Sequence, residues 1–167
     1  MTRLILIGLG ANLDSPRGGA PHDTLTAALA ALECEGIVIL ARSGWYRSAP
    51  VPPSEQPWFI NAVASLATAL DAPDLLVLLQ AVEGRFGRVR GVRNAARALD
   101  LDLLDYRGRR VEAPDLILPH PRLHQRRFVL EPLAEIAPEW RHPTLDLTAR
   151  QLLVPLDGAQ PVERLSC

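Results

Sequence analysis

Between residues 4 and 106 the apolar residues form first a continuous run, then a helical stripe, then two strand-like stretches, then a second helical stripe, and last a strict alternation. Few folds accommodate that order. A chain running β-α-β-β-α-β folds as a split βαβ, ferredoxin-like α+β unit, with a four-stranded antiparallel sheet and two helices on one face. At 167 residues a single domain over 1–167 is expected, with a C-terminal extension after the core.

The stretches follow from spacing and punctuation. Leu4–Leu9 is an uninterrupted apolar run, as a strand buried on both faces requires. Leu25, Ala28, Leu29 and Leu32 make one stripe of a helix over 22–34, stopped by Gly36. Residues 37–47 read as one strand and 59–70 as the next, joined by a proline-rich loop. In the 59–70 strand Phe59, Asn61, Val63 and Ser65 share one face, and Ile60, Ala62, Ala64 and Leu66 the other. Asp71 is an N-cap with Pro73 in the first turn, and the helix it opens runs to Phe86 with Leu75, Leu76, Leu79 and Val82 toward the core. Residues 98–106 form the fourth strand, turned by 107–110, with a short return from Val111. Pro114–Pro121 is extended, 128–136 is a short helix, and 145–154 holds one more. The last dozen residues carry little pattern.

In the fourth strand Leu99, Leu101 and Leu103 face a core, so Asp100 and Asp102 share the opposite face, about 6–7 Å apart. Two carboxylates on one face repel unless a cation stands between or beside them. A bare D-x-D is often only a solvated edge. Here it follows Arg85, Arg88, Arg90, Arg93 and Arg97 in one glycine-punctuated segment. Acids that hold Mg²⁺, next to guanidiniums that hold phosphate, are the parts of a phosphoryl-transfer site. The chain has no lysine, which excludes a Walker A loop, a protein-kinase fold and Schiff-base chemistry. A formal charge of -1 argues against a nucleic-acid partner. No apolar run is long enough to cross a bilayer, and Cys34 and Cys167 form neither a disulfide framework nor a metal motif, so a cytoplasmic protein is expected. Gln80 and Glu83, three apart near the end of the second helix, lie toward the arginine segment. His120, between two prolines and near His124, Arg126 and Arg127, has a restricted backbone and is a candidate ligand-binding group.

Taken together, Gly8–Leu13, Tyr46-Arg47-Ser48, Gln56–Ala62, Gly87–Arg90, Arg97–Leu103 and Leu118–Leu130 resemble, in order and spacing, the 6-hydroxymethyl-7,8-dihydropterin pyrophosphokinases of folate biosynthesis. The resemblance spans Leu6 to Pro138. It implies transfer of the β,γ-diphosphate of ATP to the pterin hydroxymethyl oxygen, with release of AMP. It implies two Mg²⁺ ions on Asp100 and Asp102. Arg88 and Arg97 would stabilise the transferring phosphates from a closing loop, joined by His120 and Arg126. Gln80, Glu83, Arg90, Leu103, Ile117 and Pro121 would line the rest of the ATP site. Phe59 and Phe128 would stack on the pterin, Asn61 would read its polar edge, and Ser48, Ala49 and Val51 would complete its pocket. Two departures stand out: Asn94-Ala95-Ala96 replaces an aromatic and a Gly-Pro, and Asp115 stands where some members place an arginine. The partners implied are small molecules acting on a monomer. The alternatives are a non-catalytic ferredoxin-like ligand-binding module, which leaves the acid pair without a task, and an RRM-like domain, which lacks the aromatic pattern.

Overall fold

The computed structural model describes residues 3–87, 96–156, 158 and 160–166. Its centre is β1 (Ile5–Ala11), buried along its whole length. It lies between β4 (Phe59–Ala67) and β5 (Asp100–Tyr106), antiparallel to both. On β4 sit β2 (Val38–Arg42) and β3 (Tyr46–Ser48), and β3 pairs in turn with β8 (Val162–Arg164). The order β5-β1-β4-β3 is that of the expected ferredoxin-like sheet, extended by β8.

Helices α1 (Pro21–Cys34) and α2 (Ala72–Arg85) pack on one face. Asp71 caps α2, accepting from Asp74 N at 2.9 Å. Leu25, Leu32, Leu75 and Leu79 meet Ile7, Leu101 and Leu103 of the sheet there. Leu76 departs from the expected core stripe: it is half-buried and lines an open cleft, because the core stripe centres on Leu75, Leu79 and Val82.

The two core helices share one face as expected, and the C-terminal extension adds a layer on the other. Helices α3 (Arg127–Ile136) and α4 (Ala149–Leu153) cover part of the opposite face. Leu130, Leu133 and Trp140 pack there on Leu6, Val63 and Leu104. What remains open on that face is one end of β1, β4 and β5.

Three further differences have local causes. The expected strand over 37–47 breaks into β2 and β3 at Ser43. There the serine nitrogen donates to Val63 O (2.9 Å), and its hydroxyl accepts from Val63 N (3.0 Å), replacing a ladder step with a side chain. The return from Val111 does not rejoin β5. Instead β6 (Val111–Ala113) and β7 (Leu116–Leu118) form their own hairpin. Finally, β5 begins at Asp100 and is bulged. Leu103 opposes Ile7 and Asp105 opposes Leu6, so Leu104 is the extra residue. Leu103 therefore faces the α1/α2 core, while Leu104 enters the α3 core.

The bulge also buries Asp105. Its carboxylate accepts from Trp140 Nε1 (2.8 Å) and Gly108 N (3.0 Å). Burial pushes its pKa up, and those bonds oppose the rise. Trp140→Phe leaves this carboxylate short of a donor. Urea denaturation should show a loss of about 1–3 kcal/mol, with ligand binding at the far end of the sheet unchanged.

Candidate active site

The open end of the sheet is built row by row. In one row Asn61 on β4, Gly10 on β1 and Asp100 on β5 are direct cross-strand partners; in the next come Val63, Gly8 and Asp102. Partners across a ladder point to the same face. β1 therefore offers no side chain between the asparagine of β4 and the acids of β5. A Cβ on Gly10 would come within 3.1 Å of Asn61 Oδ1. The missing side chain is the floor of a cavity of about 230 Å³.

One wall of this cavity carries Ser48, Ala49, Val51 and Phe59; the other carries Phe128 at the start of α3. Ser48 is buried, and its hydroxyl accepts from Asn61 Nδ2 at 2.6 Å, which orients the amide. Arg97, Asp100, Asp102, His120 and Arg126 close the charged end. Arg126 Nη1 lies 3.8 Å from Asp102 Oδ2, and its guanidinium carbon lies 5.5 Å from the Phe128 ring centre.

A second cavity, of about 480 Å³, opens on the other side of the acids. Gln80, Glu83, Leu103, Ile117, Pro121 and Asp115 line it. The two cavities share Asp102 and His120. The residues expected at the pterin line the first cavity; those expected at ATP divide, with Gln80, Glu83, Leu103, Ile117 and Pro121 in the second, Arg97 and Arg126 in the first and His120 in both. Arg88 and Arg90, together with Asn94 and Ala95, lie outside the described residues.

His120 owes its position to the bulge: its N–H donates to Leu104 O at 2.8 Å. Its Nδ1 accepts from Arg122 N at 3.2 Å, so the neutral ring carries its proton on Nε2. Burial is the main cause that pushes its pKa down, to about 4; the Arg126 and Arg122 guanidiniums add to this and Asp100 opposes it. A neutral Nε2–H is a donor suited to a phosphate oxygen.

Glu83 has a structural task. It is 3% exposed, and its carboxylate accepts from Leu101 N at 2.9 Å, holding the backbone between the two acids. Arg97 precedes β5 and is pinned by a residue that the sequence reading passed over. Buried Asn12, at the end of β1, accepts from Arg97 N (2.8 Å) through its side chain and donates its own N–H to Arg97 O (2.9 Å). Its amide nitrogen reaches Pro57 O (2.9 Å) and Gln56 Oε1 (3.2 Å). One asparagine therefore joins Arg97 to the loop after β3. The signal was a polar residue directly after a buried glycine-bearing strand.

Asp100 and Asp102 suit a hard divalent cation. Among the described residues no group of three or more His, Cys, Asp or Glu could hold a metal. An ion held here needs further oxygens from phosphate and water, which is how Mg²⁺ is usually bound.

The chain matches the family model described as 7,8-dihydro-6-hydroxymethylpterin-pyrophosphokinase over residues 6–138. A relative from Synechocystis sp., named 2-amino-4-hydroxy-6-hydroxymethyldihydropteridine pyrophosphokinase, is 42% identical over 153 residues, covering 91% of this chain and 75% of its own. One of the same name from Pseudomonas aeruginosa is 42% identical over 144 residues, covering 86% of each. Among solved structures, one titled as HPPK-DHPS in complex with substrates aligns with a TM-score of 0.68 at 14% identity. It covers 89% of this chain, which spans 42% of that longer chain, and shows the shared fold.

Because His120 and His142 both have lowered pKa values in the fold, the unfolded chain takes up protons at these rings first as pH falls. Stability is therefore retained above about pH 6.5 and lost as pH falls from there toward 4. Urea unfolding across that window should show the decline, and His120→Asn should flatten it.

Proposed function

This chain belongs to the 7,8-dihydro-6-hydroxymethylpterin-pyrophosphokinase family, and we propose a division of its site between the two substrates. Its activity is ATP-dependent transfer of pyrophosphate to 6-hydroxymethyl-7,8-dihydropterin in folate synthesis. The observation that carries the division is the pair of cavities meeting at Asp102 and His120. The cavity between Phe59 and Phe128 takes the pterin, sandwiched between the rings, with Asn61 at its polar edge and Ser48, Ala49 and Val51 beside it. The cavity of Gln80, Ile117 and Pro121 takes the nucleoside of ATP, with Leu103 in its floor and Glu83 behind it.

The triphosphate then crosses the junction. The hydroxymethyl oxygen attacks the β-phosphorus, the bond from that phosphorus to the α,β-bridging oxygen breaks, AMP leaves with that oxygen, and the hydroxyl proton is released. Mg²⁺ held by Asp100 and Asp102, as two ions, would supply charge neutralisation on the phosphates and a lowered hydroxyl pKa. Arg97 and Arg126 place guanidinium charge where negative charge shifts toward AMP, and His120 donates from Nε2 to a phosphate oxygen. Arg88 and Arg90 belong to the same phosphate set. The rate gain comes from alignment and from fixed charge, because the phosphoryl group passes directly between the substrates. We further infer a single-domain monomer in the cytoplasm, acting on small molecules alone. Among the described residues no helix is long and apolar enough to cross a membrane. A non-catalytic binding module would leave the acid pair without a role.

Incubation with ATP and Mg²⁺ should yield AMP only when 6-hydroxymethyl-7,8-dihydropterin is present; ADP would refute diphosphate transfer. Asp100→Ala and Asp102→Ala should each abolish turnover while leaving the urea midpoint nearly unchanged, since neither carboxylate is part of a core. Full activity in the double variant would rule out the metal assignment. Arg97→Ala should slow the chemical step by about 10³-fold with little change in pterin affinity, because Asn12 holds the Arg97 backbone rather than its side chain.

A further inference from the structure

The pterin cavity is formed by two chain segments far apart in sequence, the end of β3 with the residues after it and the first turn of α3. Residues 160–164 touch both. β8 pairs with β3, setting Val162 opposite Ser48, and Ala49 N donates to Pro161 O at 3.2 Å. The side-chain oxygen of Gln160 accepts from Arg127 N at 2.9 Å, and its amide nitrogen donates to Gln125 O at 2.8 Å. Arg127 Nη1 returns a bond to Gln160 O at 3.0 Å.

The need for Gln160 follows from what occupies the N-cap of α3. That position is Arg126, whose side chain makes no capping bond. A guanidinium has donors only, so it cannot receive the first N–H groups of the helix. Arg126 instead lies toward Asp102 and over Phe128. A residue that serves the site has displaced the usual Ser, Thr, Asp or Asn cap, and the acceptor comes from elsewhere in the chain.

A second set of bonds keeps the strap in place. Glu135, on α3, accepts from Arg164 Nε (2.9 Å), Tyr46 OH (2.7 Å) and Gly44 N (2.7 Å). The Arg164 guanidinium lies flat enough against Gly44 that a Cβ there would come within 2.7 Å of it. These contacts join β8, β3 and α3 on the side away from the cavity. The family match ends at residue 138, so the strap lies outside it.

We propose that Gln160 is a positioning residue for the pterin site: it caps α3 from the β8 strap and thereby sets the spacing between the Ser48–Ala49 wall and Phe128. The proposal rests on the assignment of this cavity to the pterin. It requires Gln160 to affect pterin binding more than ATP binding, because the ATP-side cavity contains no residue of β3, α3 or β8 and this turn reaches the triphosphate through Arg126 alone.

The test is equilibrium binding of 6-hydroxymethyl-7,8-dihydropterin and, separately, of Mg²⁺-ATP, to wild type, Gln160→Ala, Gln160→Glu and Arg164→Ala. Thermal unfolding is recorded for each. Gln160→Ala should weaken pterin binding about five- to tenfold, as loss of one helix cap predicts, and weaken ATP binding by a clearly smaller factor. Gln160→Glu keeps an acceptor at the helix N-terminus and should recover most of the affinity. Arg164→Ala, which frees β8 from Glu135, should repeat the pterin-selective loss. Lower melting temperature with unchanged pterin affinity in Gln160→Ala would make the strap merely structural and overturn the proposal, as would an equal loss for both ligands. Wild-type protein that binds no pterin would instead overturn the cavity assignment itself.

Discussion

Strand β1 is paired on both edges and covered on both faces for much of its length, so every neighbouring element is placed relative to it. Its two faces have different content. Ile5, Ile7 and Leu9 fill the α1/α2 core, whereas the other face reads Leu6, Gly8, Gly10. Leu6 meets α3, and then the side chains stop. That change from leucine to glycine divides one sheet face into a packed half and a hollow half. Asn61, Asp100 and Asp102 border the hollow because they are the cross-strand neighbours of residues that have nothing to put there.

The charges around the hollow are arranged in one direction. Two acids stand at its mouth, and Arg126 and Arg97 line it with them. His120 is kept neutral by burial and by the Arg126 and Arg122 guanidiniums. The imidazole therefore adds a hydrogen-bond donor without adding a full positive charge, and the arginines remain the fixed cations. Arginine suits that task because its planar fork meets two phosphate oxygens at once and stays ionised at all working pH values.

The α+β order was legible because each element carries its own period: the alternation of Leu99 to Leu103 and the stripe of Leu75, Leu79 and Val82 are local signals. The residues expected at the pterin line one cavity, and Arg97 and Arg126, expected at ATP, line it with them. What could not be read depends on partners distant in sequence. The Leu104 bulge is defined only by its register against Leu6 and Ile7. Ser43 breaks a strand because Val63 N–H is within reach of its hydroxyl. Glu83 has the spacing of a solvated helical residue, yet it is buried because its carboxylate takes the Leu101 N–H, which no described strand takes on that side. Leu76 fits a helical stripe but faces the cleft. β8 has three residues with little apolar pattern, and its pairing is decided entirely by β3.

The pairing of β8 with β3 joins residues 162–164 to 46–48, across more than a hundred intervening residues. Contacts of that span form late, since the chain between them must first be collected. During synthesis α1, α2 and β1 to β5 can assemble as soon as Tyr106 is available. The bonds that connect the wall at Ser48 and Ala49 with the first turn of α3 wait until residue 164 has emerged. A nascent chain can thus own a finished sheet and both acids while the cavity between Phe59 and Phe128 is still open on one side, so that cavity is completed after the core rather than with it.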